Sequence, residues 1–116
     1  MSRSPEWQAH RTLPSNLMTA RPRMTVHVQA VLRLLLSDPA AEHFGLEIAK
    51  SAGMMPGTAY PILARLVRLG WLETRWENVD PRAAGRPRRR FYRLTETGVI
   101  AARPALAKAG SSRPLG

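Results

Sequence analysis

The chain contains no cysteine. A disulfide framework and a thiolate metal site are therefore excluded, and the composition is compatible with a reducing cytosol. Histidine is sparse: His10, His27 and His43 show no metal-ligand spacing. There is no Walker-type or dinucleotide-binding glycine loop, and Glu42 and Glu47 do not form a convincing acid–base pair. The reading is of a protein that is not an enzyme and needs no cofactor. The longest apolar runs are far too short to span a bilayer, so no membrane partner is expected. No apolar signal-peptide core follows Met1-Ser2-Arg3-Ser4-Pro5-Glu6, which points to the cytoplasm and the nucleoid. No internal repeat is visible.

Acidic residues are the other scarcity. Eight Asp+Glu stand against 18 Lys+Arg, for a net charge of +10 and a pI near 11.7. Such a balance suggests a polyanionic partner. Its placement says more than its total. Residues 1–23 carry four Arg against one Glu, and residues 24–74 carry four Lys/Arg against four Asp/Glu. Residues 75–93 carry seven Arg against one Glu and one Asp, and residues 82–93 contain no acid at all. A neutral helical body thus carries a cationic hairpin and cationic tails.

What is present organises around Met54 to Leu72. Pro56 fits a first helical turn, where a missing N–H is harmless. Ile62, Leu63, Leu66, Val67 and Leu69 recur at helical spacing, and Gly70 suits a C-terminus needing positive φ. The spacing predicts a helix over 56–69 whose first turn, Gly57, Thr58 and Tyr60, is small and polar outside. Upstream, Thr25 is an N-cap for a helix over 25–37 with Val28, Val31, Leu32, Leu35 and Leu36 inward, stopped by Asp38-Pro39. A second helix covers 44–52, with Phe44, Ile48 and Ala49 inward and Gly53 closing it. Two short helices joined by so brief a turn form a helix-turn-helix. After Gly70 the period becomes two: 71–76 is a strand with Leu72, Thr74 and Trp76 on one side. Residues 77–87 are a loop, and 88–94 return as a strand with Tyr92 and Leu94 inward and Arg89, Phe91 and Arg93 outward. Thr95 caps a last helix with Val99, Ile100 and Ala102 as apolar positions, and Pro104 is expected to break or end it.

The fold class is therefore mainly α with a small β-hairpin: a winged helix-turn-helix of three helices, a two-stranded wing and a short C-terminal helix. The expected divisions are a basic N-terminal arm over 1–23, the DNA-binding domain over 24–103 and a tail over 104–116. The arm is either a short helix capped by Ser15 or a disordered segment, and the last residues, from Ser111, fray.

In that fold the second helix of the motif enters the major groove of DNA and the wing lies beside it. N–H groups near Gly57 and Thr58 suit a phosphate at a helix N-terminus. Thr58 suits a phosphate or a thymine methyl, and Tyr60 either a phosphate or a core or dimer face. Arg86, Arg88, Arg89 and Arg90 form a cationic finger suited to phosphates or a narrow minor groove. Arg65 either braces the fold through Glu47 or Glu73 or touches DNA, and Arg68 is solvent-exposed.

Across roughly residues 24–100 the chain resembles the PadR-like family of bacterial transcriptional regulators. The residues that carry the resemblance are Phe44-Gly45-Leu46-Glu47-Ile48, Pro56-Gly57-Thr58-Ala59-Tyr60-Pro61-Ile62-Leu63-Ala64-Arg65-Leu66, Gly70-Trp71-Leu72, Gly85-Arg86-Pro87-Arg88, Phe91-Tyr92-Arg93-Leu94-Thr95 and Gly98. The resemblance implies a repressor that binds double-stranded operator DNA as a homodimer. It implies that Gly57, Thr58 and Tyr60 face the DNA, with Arg86 and Arg88 to Arg90 in the wing. Two departures stand out. Met55 occupies the position where the family commonly has a polar cap such as Ser, a loss of about 1 kcal/mol. The long C-terminal helix that pairs with its twin is shortened here, so the dimer seam is short or moves to helix 25–37 and the arm with Trp7. The sequence does not identify a small-molecule effector, and a response carried by a longer C-terminal domain is not expected. The alternative functions are a sequence-nonspecific, architectural nucleic-acid binder and a module that meets an acidic protein.

Overall fold

Thr25 begins the ordered helical body as expected: its hydroxyl accepts the Val28 N–H at 3.2 Å. The structure, a computed structural model, describes Trp7 and residues 21–111. The expected helix capped by Ser15 and the frayed end beyond Ser111 lie outside the described residues. Helix α1 spans Val26–Leu36 and buries Val28, Val31, Leu32 and Leu35. Helix α2 spans Gly45–Ala52 and buries Ile48 and Ala49. Phe44 is its N-cap, and the Glu47 carboxylate accepts the Phe44 N–H at 3.2 Å. Gly53 closes α2 at φ 74°. Helix α3 spans Pro56–Arg68 with Leu63 and Leu66 fully buried, and the chain leaves it through Gly70 at φ 80°.

The wing has one strand more than the periodicity indicates. Strand β1, His43–Phe44, pairs antiparallel with β3, Arg90–Leu94, which pairs antiparallel with β2, Leu72–Trp76. The sheet order is β1-β3-β2. A two-residue strand has no period to detect, and pairing with β3 alone defines it. In the β2–β3 register Leu72, Thr74 and Trp76 oppose Leu94, Tyr92 and Arg90, so the expected side-to-side alternation holds. Only Leu72 and Thr74 are buried on that side, however: Trp76 at the strand end is 49% exposed, and Glu73 on the other side is buried. The loop between these strands contains helix α4, Pro81–Ala84, capped by Asp80, which accepts the Arg82 N–H at 3.0 Å. Gly85 ends that turn at φ 72°.

Helix α5 spans Glu96–Ser111 and runs through Pro104. The break expected at Pro104 does not occur. Proline removes the bond to the carbonyl of residue 100, but Pro104 and Ile100 both stand on the exposed side, where water can reach that carbonyl. Ala102 and Ala105, on the opposite side, are fully buried in the core and hold the helix down. Ile100, expected inward, is 67% exposed. Thr95 joins α5 to the turn at Gly70: its hydroxyl donates to the Gly70 carbonyl at 2.7 Å and accepts the Gly98 N–H at 2.8 Å. The approach is so close that a Cβ on Gly98 would collide with the Trp71 carbonyl oxygen. One core of α1, α2, α3, the inner sheet face and α5 results, and it fixes α3 and the wing relative to each other.

Candidate nucleic-acid interface

Met55 caps α3 in an extended conformation with no side-chain hydrogen bond to the helix, as its side chain dictates. The Thr58 N–H donates to the Met55 carbonyl at 2.9 Å. The Gly57 N–H is left as the front donor without a partner among the described residues. Met55 is 73% exposed, Gly57 is exposed and Thr58 is half-buried. Tyr60, 45% exposed, leans across the start of α2, where a Cβ on Gly45 would stand 2.5 Å from its ring. Glycine at 45 is what lets that ring lie there.

The wing arginines are held individually. Arg86 Nη1 donates to Glu77 Oε1 at 2.7 Å and Nη2 to Oε2 at 3.0 Å. The same carboxylate accepts the Arg89 N–H at 3.2 Å, and the Glu77 N–H donates to the Arg89 carbonyl at 2.7 Å. Bonding to Arg86 brings the Glu77 carboxyl down to about 2, with Arg89 adding to the effect and desolvation opposing it. Glu77 in turn raises Arg86 above its ordinary value. The absence of acid within 82–93 therefore does not leave the whole run unpaired. Glu77 and Glu73 reach it from outside, and Glu73 accepts from Arg93 Nε at 2.7 Å. Arg88 Nε donates to the Val79 carbonyl at 3.1 Å. The Arg89 guanidinium lies 4.5 Å from the Phe44 ring centre and that of Arg90 lies 4.6 Å from Trp76. Arg90 Nε also donates to Thr74 Oγ1 at 3.1 Å. The guanidinium groups of Arg88, Arg89 and Arg90 form no ion pair with a carboxylate among the described residues, although Arg89 acts on Glu77 through its charge.

On the outer sheet face Trp7 is 6% exposed and sits between Arg93 at 4.2 Å and Arg75 at 5.3 Å. Arg75 also covers Phe91 at 4.5 Å and pairs with Glu42 at 2.6 Å. Arg65 is exposed and takes neither brace expected of it: Glu73 holds Arg93, and Glu47 holds the start of α2.

Tyr60, Arg86, Arg88, Arg89 and Arg90 border one groove of about 460 Å³, together with Phe44, Leu46 and Trp76. Burial raises the hydroxyl pKa of Tyr92, which closes the groove from behind, against a lowering influence from Arg90. Gly57 is not in this groove, and Thr58 opens on a separate recess shared with His27, Lys50 and Met55. Two residues along a helix turn it by roughly 200°, so Thr58 and Tyr60 face different sides. The sequence reading missed Phe44 and Trp76 as platforms for Arg89 and Arg90, and Lys50 beside Thr58. The aromatic and arginine residues that pairing brings together across the strands were the signal for the first two, and that pairing is visible only in the fold. Among the described residues no cluster suits a metal ion, and no helix is long and apolar enough to cross a membrane.

The model of the transcriptional regulator PadR-like family matches residues 31–103. No curated protein matches the chain. A solved structure described as a possible transcriptional regulator from Methanosarcina mazei Go1 superposes with TM-score 0.57 at 15% identity, over 78% of this chain and 72% of that one. ZitR of Lactococcus lactis, in a mutant form, superposes with TM-score 0.57 at 19% identity, over 78% of this chain and 56% of its own. Another ZitR structure, described as a zinc-responsive MarR family member, gives TM-score 0.56 at 16% identity, over 89% of this chain and 65% of its own. At these identities the likeness is one of fold. A family match across most of the chain, on a three-helix body carrying a basic wing, makes this protein a member of the PadR-like family and a DNA-binding transcription regulator.

Proposed function

We propose that the chain is a sequence-specific, operator-binding repressor that acts as a homodimer. The front of α3 enters the major groove, where Thr58 meets a phosphate or a thymine methyl and Tyr60 gives its hydroxyl to a phosphate. Gly57 lets the DNA backbone approach an open N–H at the positive end of the helix. Arg88, Arg89 and Arg90 grip the backbone or the adjacent minor groove, and Arg86 shapes the wing tip as well as adding charge. The exposed Ile100 side of α5 offers the shortened seam for a second copy. The observation that carries this reading is adjacency: Tyr60, one turn into the exposed front of α3, borders the same groove as Arg88, Arg89 and Arg90.

Duplex fragments selected from random sequence, compared with unselected duplex in mobility shifts at rising salt, test it. Affinity is expected to fall steeply with salt. Replacing Arg88, Arg89 and Arg90 should weaken all duplexes alike, and Thr58→Ala should change the preference among them. One observation favours a sequence-indifferent, architectural binder: Thr58 is the one polar side chain in the front turn of α3 before Tyr60. Equal affinity for selected and random duplex would decide for that reading. No binding to nucleic acid at low salt would instead point to an acidic protein partner.

A further inference from the structure

Two methionines stand side by side in the turn that links α2 to α3, and the fold treats them differently. The Met54 N–H donates to the Ala49 carbonyl at 2.9 Å, and its side chain packs against the core. Met55 turns outward and is 73% exposed. Its backbone is fixed all the same: it is extended, and its carbonyl accepts the Thr58 and Ala59 N–H groups at 2.9 and 3.1 Å. A rigid root thus carries a long apolar side chain into water. That placement costs stability twice. A large apolar group stays hydrated, and the polar side chain that would cap α3 is missing. At this exposure no packing gain offsets either cost.

Met55 borders an open recess of about 470 Å³ together with His27, Lys50 and Thr58, and no carboxylate lines it. Lys50, exposed in the last turn of α2, has no carboxylate partner among the described residues. The surface is therefore cationic and polar with an apolar prong. An apolar protein face would strip water from Lys50 and Thr58 without replacing it, and a bare phosphate would leave Met55 hydrated. A duplex edge meets both demands. Phosphates flank the major groove, and thymine is the base that presents a methyl group there.

We propose that Met55 determines specificity: its thioether tip packs against the methyl group of one thymine in the major groove, while Lys50 holds a neighbouring phosphate. This assignment rests on the proposed docking of the front of α3 in that groove, and it uses the side chain rather than the N–H groups of the helix end. The three rotatable bonds and polarizable sulfur of methionine suit a contact that must follow a base edge. Thr58 borders the same recess and carries a methyl group of its own, so the two side chains are rivals for that thymine.

Uracil is the probe, because it lacks only the thymine methyl group and keeps the same pairing. Duplexes selected from random sequence for binding to the full chain are remade with uracil at one thymine position at a time. At one position the change should weaken wild type roughly fourfold, the worth of one methyl withdrawn from water. Met55→Leu should keep that discrimination, and Met55→Ser should bind thymine and uracil alike. Met55→Ser should also melt above wild type, because serine caps α3, which separates lost discrimination from a folding defect. Thr58→Ala should leave the thymine-to-uracil ratio at that position as it is in wild type. Lys50→Gln should weaken both duplexes equally and lower the salt slope by about one. The absence of any sensitive thymine, a ratio that survives in Met55→Ser, or one that vanishes in Thr58→Ala would overturn the assignment while duplex binding stands. An unchanged slope in Lys50→Gln would overturn the phosphate contact. If selected and random duplex bind equally, the sequence-specific reading falls first, and an A·T-rich duplex with every thymine replaced by uracil decides: equal affinity overturns the methyl contact too. No binding to any duplex ends both.

Discussion

Glu77 and Arg86 meet fork to fork, with two hydrogen bonds of 2.7 and 3.0 Å closing the wing loop over α4. Bidentate pairs of this kind fix geometry as well as adding energy. The Glu77 carboxyl falls from 4.5 to about 2 in the fold. A depressed carboxyl contributes stability that is complete above its unfolded value and is lost as pH falls through the folded one. The contribution of this pair is therefore full above 4.5 and fades toward about 2. Glu77→Gln should melt below wild type at neutral pH, and the gap should close across that window. Parallel thermal melts check this, and a gap independent of pH would count against the pair.

Two glycines should respond oppositely to alanine. At Gly98 a methyl would run into the Trp71 carbonyl, and the backbone there cannot swing aside like a flexible side chain. Gly98→Ala is expected to cost about 1–3 kcal/mol as overpacking. At Gly57 nothing lies within 4 Å of the added carbon. Gly57→Ala should stabilise α3 by about 0.5–1 kcal/mol and, under the proposed function, weaken duplex binding by blocking close approach. Urea titrations and mobility shifts on the same two proteins separate the effects.

Trp7 seals the outer sheet face between Arg75 and Arg93. Burial of so large a ring is worth about 1.5–3 kcal/mol before the cost of tethering the arm. Trp7→Ala should lower the urea midpoint, and removal of residues 1–23 should lower it similarly. An unshifted midpoint in both would show that the arm does not hold this face.

Pro104 stands on the exposed side of α5, where replacement sacrifices no buried packing. Alanine is favoured over proline inside a helix by about 3 kcal/mol, so Pro104→Ala should raise both helicity and melting temperature. Circular dichroism gives both readouts. No gain would mean that the freed carbonyl is already well satisfied.

Phe44 and Trp76 orient Arg89 and Arg90 without carrying charge. Exposed cation–π contacts are worth about 0.5–1 kcal/mol. Phe44→Leu and Trp76→Leu should each weaken duplex binding a few-fold and leave its salt slope unchanged, because no phosphate contact is lost. A slope that flattens as far as the proposed function expects for Arg90→Ala would refute a purely orienting role.

The sequence alone determined the helical body and the wing's alternation. Val28, Val31, Leu32 and Leu35, then Ile48, then Leu63 and Leu66 announce their burial through spacing. Thr25, Gly53, Pro56 and Gly70 mark helix ends through local backbone preference, and Leu72 and Leu94 reveal the inner sheet face. All of these depend on neighbours a few residues away, which a linear pattern can encode. Tertiary structure decided the rest. Only folding brings His43–Phe44 against β3, sets Trp7 between Arg75 and Arg93, and leaves Ile100 outside while Ala105 packs. Only folding shows that Arg86 is matched by Glu77 while Arg88, Arg89 and Arg90 have no carboxylate of their own. Side-chain periodicity says which way a residue points, but a salt bridge or a stacked ring depends on what another segment places opposite it.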